Sequence, residues 1–262
     1  MKHSIEHGMF VRESGTASPD APTLVWVHGL GESGLGFEGM LRHPALAGHH
    51  QVAADIPGYG RSAWTDEPLS LVDQADLLAE WFRGRGFDPV VLLGHSMGGI
   101  SGLHLCERHP QVVAHFVNID GNLSIGDCTY SSRAAALSLE SFVETGFEVL
   151  LGHVYELGAT DAAHRTYYAS MRHCDPRLFH RNGVELVEIS KPEIPAARLA
   201  ALPQRLTHVP GIPGGNAVRS RELLAEHGIA TRAIEPAGHW PFLDRPDEFA
   251  ALVNELVRTT ER

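Results

Sequence analysis

The chain has 262 residues, 43% of them apolar and 20% charged, which is the composition of a folded globular domain and excludes a disordered or fibrous chain. Thirty-two acidic against 21 basic residues give a net charge of −11, and no Lys/Arg run offsets it, so nucleic acid and anionic membrane surfaces are not expected partners. The longest uninterrupted apolar run, Phe249 to Val253, is five residues, against roughly 18 for a membrane span.

The N-terminus, Met1-Lys2-His3-Ser4-Ile5-Glu6, lacks the apolar stretch of a secretory signal. Three cysteines (Cys106, Cys128, Cys174) make no disulfide framework. A cytoplasmic location with reduced thiols is the expectation, with a Cys128–Cys174 bridge left open.

In chain order, short apolar runs closed by Gly or Pro predict buried strands at Thr23–Val27, Gln51–Ile56, Pro89–Leu93 and Val112–Ile119. Helical spacing lies between them. Ser70 caps a helix through Val72, Ala75, Leu78 and Phe82 that stops near Gly84 and Gly86, and a second helix follows Ser96 and ends near His109-Pro110. From 121 to 195 the alternation gives way to helix-like stretches at Ser131–Thr145, Phe147–Leu157 and Ala162–His173. Strand signals return at Leu206–Val209 and Ala230–Ile234. Pro246 opens a last helix with the face Phe249, Leu252, Val253, Leu256 and Val257. The pattern predicts a mostly parallel sheet covered by helices, with ligands at the C-terminal strand ends.

The chemistry-bearing residues follow those strand ends. Gly94-His95-Ser96-Met97-Gly98 stands between a strand and a helix, where a strained bend with φ > 0 lifts a serine hydroxyl above the sheet and only glycine fits two residues before and after. A serine needs a base, and of 17 histidines His239, in Gly238-His239-Trp240-Pro241 beyond the last predicted strand, is the one placed for it. His43, His49 and His50 read as a solvated loop. In His28-Gly29-Leu30-Gly31 the glycines allow close backbone approach, so the N–H groups of Leu30 and Met97 are the expected oxyanion donors. No metal-binding spacing and no phosphate loop occur, so neither metal nor cofactor is expected.

His28-Gly29, Asp55-Ile56-Pro57-Gly58-Tyr59-Gly60-Arg61-Ser62, Gly94-His95-Ser96-Met97-Gly98-Gly99 and Gly238-His239 occur in the order found in the α/β-hydrolase superfamily, which this sequence resembles over about residues 10–120 and 200–260. The resemblance implies a mostly parallel eight-stranded sheet, a core formed by residues 1–120 and 196–262, and a helical cap at 121–195, after strand six. It also implies a Ser, acid, His order. Many relatives carry the acid after strand seven, where this chain reads Gly211-Ile212-Pro213-Gly214-Gly215-Asn216 with no carboxylate. Some carry it after strand six, which makes Asp120 the expected acid, with Asp127 a weaker candidate. Asp244 is read as part of the final helix's start, Asp55 and Arg61 as a structural pair, and Cys106 as a small core residue. His95 is read as a contact to the cap or a packing residue below the site.

The expected activity is a cofactor-independent serine hydrolase that cleaves a small, apolar carboxylic ester through an acyl-enzyme, with Ser96, His239 and Asp120 as the triad. Thioesters, lactones, amides, C–C bonds, acyl transfer to an alcohol or peroxide, and a ligand receptor on the same scaffold are the alternatives. Oligomeric state is left open.

Overall fold

The computed structural model describes residues 1–18 and 21–258; the last four residues of the expected core segment, 259–262, lie outside them. β1 (Lys2–Glu6) and β2 (Met9–Ser14) form an antiparallel hairpin. β3 (Leu24–Val27), β4 (Gln51–Asp55), β5 (Val90–His95), β6 (Val113–Ile119) and β7 (Arg205–Val209) complete a seven-stranded sheet in the order β1-β2-β4-β3-β5-β6-β7. All pairings from β4 to β7 are parallel. The central strands β3, β4 and β5 are buried along their whole length, which is why they read as continuous apolar runs.

β7 passes through Pro210 into β8 (Gly211–Gly214), which pairs in parallel with β9 (Ile234–Gly238). The Arg232 N–H donates to the His208 carbonyl at 2.9 Å, so β9 continues the layer in the eighth position, although its ladder is separate from the seven-stranded one. The last strand was expected at Ala230–Ile234 and instead lies four residues on. Pro236 hides it, because proline reads as a strand breaker, yet on an edge strand the missing N–H costs no ladder bond. The hairpin β1–β2 is invisible to an apolar-run reading because Lys2, Ser4 and Glu6 interrupt it.

α1 (Leu71–Arg85) starts with the expected Ser70 cap, closed as a box with Asp73, and ends at Gly86 with φ 64°. α2 (Met97–Arg108) packs on it. Between β6 and β7 the chain is helical: α3 (Thr129–Ala135), α4 (residues 139–157), α5 (Ala162–Met171), α6 (Pro176–Ser190) and a short helix at Pro195–Ala200. The single helix expected over Ser131–Thr145 is broken. α3 stops at Ala135, and Ser138 accepts the Ser141 N–H to cap a new helix. This helix, α4, runs Leu139–Ser141, through a π-helical turn at Phe142–Gly146, into Phe147–Leu157.

α7 (Val218–Glu226) and α8 (Pro246–Arg258) complete the described residues. The expected apolar face of α8 is buried, with Phe249 against the Trp26 ring; each of its large apolar side chains contributes about 2 kcal/mol. All three cysteines are buried and free, so Cys128 and Cys174 do not pair.

Candidate active site

Ser96 leaves β5 at φ 52° and ψ −116°, the positive-φ bend expected of it. A Cβ on Gly94 would strike the Gly98 carbonyl and one on Gly98 the Val27 carbonyl, so both positions are closed to larger residues. The Ser96 N–H donates to the Ile119 carbonyl at 2.9 Å, which ties the bend to the end of β6. One residue further, Asp120 also turns back at positive φ (47°) and is fully buried.

Asp120 reaches His239, which follows β9. Its Oδ2 lies 2.5 Å from His239 Nδ1. A carboxylate only accepts, so Nδ1 carries the hydrogen and Nε2 remains an acceptor. The other oxygen, Oδ1, accepts the N–H groups of Asn216 (2.8 Å) and Gly211 (3.3 Å). Burial works against the imidazolium, but the hydrogen bond and charge of Asp120 outweigh it and leave the His239 pKa above its ordinary 6.5. Ser96 and His239 line one cavity of about 320 Å³, together with Leu30, Tyr130, Tyr167 and Trp240.

His28 orders the loop after β3. Its Nδ1–H donates to the Gly29 carbonyl (2.9 Å) and its Nε2 accepts the Ile56 N–H (3.1 Å), with burial holding its pKa down. A Cβ on Gly29 would come within 3.0 Å of Ser96 Cβ, so this loop runs against the serine as closely as glycine permits. Among the described residues, neither the Leu30 N–H nor the Met97 N–H donates to another protein atom. The geometry therefore brings Ser96, Leu30 and Met97 to the same strand ends, and Asp120 to His239.

Glu32, which no sequence motif singles out, lines the same cavity as Ser96 and His239. Its Oε2 accepts from His95 Nδ1 and the Gly29 N–H, each at 3.0 Å, and its Oε1 accepts from Trp240 Nε1 at 2.8 Å. Burial opposes its charge, but the attraction of His95 and these hydrogen bonds hold its pKa at about 2. His95 Nε2 in turn donates to the His239 carbonyl at 2.8 Å, and the two rings lie 4.7 Å apart. His95 thus packs below the site, one of the two placements expected.

Asp127 is saturated by the N–H groups of Leu123, Ser124 and Ala217 and the Ser220 hydroxyl, and stitches a loop. Asp244 precedes α8 and accepts the Gly238 N–H at 2.7 Å, bracing the residue before His239. Asp55 pairs with the buried Arg12 side chain, whereas Arg61 offers it only a backbone N–H at 2.9 Å and lays its guanidinium over Phe10. His50 is buried between Thr23 and Glu13 rather than solvated. Among the described residues no cluster of three or more His, Cys, Asp or Glu could hold a metal, and no helix is long and apolar enough to cross a membrane.

The alpha/beta hydrolase family model matches residues 24–252. A protein named as a carbamate hydrolase, RutD of Cronobacter turicensis, is 37% identical over 123 residues, 46% of this chain and 45% of that protein. The chain spans less than half the length of the first curated relatives it matches. A thermophilic esterase from Thermogutta terrifontis superposes with a TM-score of 0.80 at 16% identity, covering 97% of this chain and 94% of that one. A mutant of the N-acyl homoserine lactonase AidH does so with 0.76 at 21%, covering 99% and 96%. At such identities these two structures speak for the fold alone, while the family model covers most of the sequence: the chain belongs to the alpha/beta hydrolase family.

Proposed function

We propose that the protein is a serine hydrolase that cleaves a small carboxylic ester through an acyl-enzyme. The observation that carries this reading is the Asp120–His239 hydrogen bond, which leaves His239 Nε2 as a base beside the cavity that Ser96 lines. Ser96 Oγ attacks the ester carbonyl while His239 Nε2 takes its proton. The developing oxyanion is held by the N–H groups of Leu30 and Met97, at the start of α2, where the helix dipole favours negative charge. The tetrahedral adduct expels the alkoxide, which receives the proton from His239 and leaves as the alcohol. Water, giving a proton to His239, then attacks the acyl-Ser96 carbonyl; the second adduct releases the acid and returns the proton to Ser96.

The named relatives include hydrolases and an esterase, which supports the reaction class. The helices between β6 and β7 contribute Tyr130, Asp161, His164 and Tyr167 to the cavity, and in this reading they are a cap over the site. Free, buried thiols fit a reducing cytoplasm, the compartment we assign. The test is turnover of 4-nitrophenyl butyrate. The expected result is multiple turnovers and an acyl adduct of the corresponding mass on Ser96, with Ser96→Ala losing several orders of magnitude in kcat while retaining its melting temperature. Undiminished turnover by Ser96→Ala overturns the reading.

A further inference from the structure

Across the cavity from the sheet, three side chains of the helical segment form a second relay that the mechanism above does not use. Asp161 caps α5, its Oδ1 accepting the Ala163 N–H at 2.8 Å and the His164 N–H at 3.3 Å. Its Oδ2 lies 2.6 Å from His164 Nδ1, and His164 Nε2 lies 3.1 Å from the hydroxyl of Tyr130 on α3. Burial opposes the Asp161 charge, but the hydrogen bonds from His164 and the two N–H groups overcome it and keep the carboxyl below its ordinary range. The carboxylate fixes the hydrogen on Nδ1, so in the neutral ring Nε2 takes the Tyr130 proton. The Tyr130 oxygen is then left with lone pairs and no hydrogen of its own to offer. The His164 ring is held edge-on to Trp240, 5.0 Å away, and Trp240 directly follows His239. All three relay residues line the same cavity as Ser96.

Building on the hydrolase reading, we infer that Tyr130, oriented by His164 and Asp161, is a specificity residue that accepts a hydrogen bond from the substrate, so that the preferred esters carry an O–H or N–H donor on the acyl part. An apolar pocket would have no use for a tyrosine oxygen whose proton is already engaged. Such an oxygen gains only from a donor, and it discriminates against esters that would bury it unpaired. His164 and Asp161 are positioning residues here, since they act through Tyr130.

The experiment compares kcat/KM for 4-nitrophenyl butyrate, 4-nitrophenyl 3-hydroxybutyrate and the 4-nitrophenyl ester of N-acetylglycine in the wild type and in Tyr130→Phe. The ratio of at least one donor-bearing ester to butyrate is expected to fall by about five- to tenfold in the variant, the worth of one neutral hydrogen bond. His164→Leu, which removes the acceptor for the Tyr130 proton, lowers the same ratio, and His164→Gln, which keeps an acceptor, restores part of it. A relay that only fastened α3 to α5 would lower the melting temperature and leave the ratio alone. Ratios equal within about twofold in wild type, Tyr130→Phe and His164→Leu overturn the inference while leaving the hydrolase reading intact. The butyrate rate and its loss in Ser96→Ala test that reading separately.

Discussion

The Asn216 backbone N–H donates to Asp120 Oδ1 at 2.8 Å, while the Asn216 side chain turns away to His208 Nε2 (2.7 Å) and the Gly121 carbonyl (3.0 Å). The turn after β8, where the family resemblance would place the acid in many relatives, here supplies a hydrogen bond to Asp120, which follows β6 and is the acid of the proposed mechanism. The two positions therefore differ in consequence. Asp120→Asn is expected to lower kcat by about 10⁴, because an amide neither supports an imidazolium nor fixes the tautomer. Asn216→Ala keeps the N–H that Asp120 uses and loses only the side-chain bonds, one of them to the buried His208. It is expected to cost about 2 kcal/mol of stability and less than about tenfold in kcat. Steady-state kinetics and denaturation of the two variants check both; the reverse ranking would remove Asp120 from the mechanism.

The pH profile follows from the same pair. In the proposed mechanism His239 must be neutral at Nε2 to take the Ser96 proton, so activity is expected to be lost as the ring protonates on the acidic side. Asp120 raises the His239 pKa above 6.5, so kcat/KM in the wild type is expected to fall below an inflection above that value. In Asp120→Asn the residual activity is expected to inflect at lower pH, since burial alone pushes the ring toward its neutral form. Rate profiles from pH 5 to 9 read both, and an unshifted inflection in the variant would mean that another group is titrating.

How far this site could be read from residues alone depended on where the physical signal resides. In the proposed site, Ser96, Leu30 and Met97 are marked by glycines that local sterics demand, and His239 and Asp120 by their place at strand ends, so short sequence windows suffice to propose them. Glu32 has no such marker: its meaning comes from His95 and Trp240, 63 and 208 positions away, which only folding brings together. α6 was missed although Asp175-Pro176 is a helix start in type, because its buried face includes Asn182, Gly183 and Ser190 and so lacks a clean apolar stripe. Pro213 and Pro236 conceal β8 and β9 because proline reads as a strand breaker, although at an edge its missing N–H costs no ladder bond.

Glu32 offers a test of the hydrogen bonds that surround His239. Glu32→Gln removes the carboxylate that accepts from His95, Gly29 and Trp240 while keeping the volume, and weakening these buried hydrogen bonds is expected to cost about 2 kcal/mol. His95 also holds the His239 carbonyl, so the loss is expected to extend to kcat, by about ten- to a hundredfold, through misplacement of the base. Denaturation and kinetics on one preparation measure both effects. A variant destabilised as stated but with unchanged kcat would confine the network to a packing role.

Gly215 tests the placement of the acid without touching it. A Cβ there would overlap the Asp120 carboxylate and the Gly211 carbonyl, neither of which can retreat: the first is held by His239 and Asn216, the second accepts the Gly215 N–H at 3.0 Å. Gly215→Ala must therefore push the carboxylate from its bond to His239 Nδ1. Misplacement of about 1 Å can cost about a hundredfold, and a loss of that order in kcat is expected. The acid limb of the pH profile is expected to move down as the support of Asp120 weakens. Gly39→Ala, in a helical turn where an added Cβ meets nothing within 4 Å, is the matched control and is expected to leave kcat unchanged. If both variants retain full kcat, the Asp120–His239 bond is not what sets the rate.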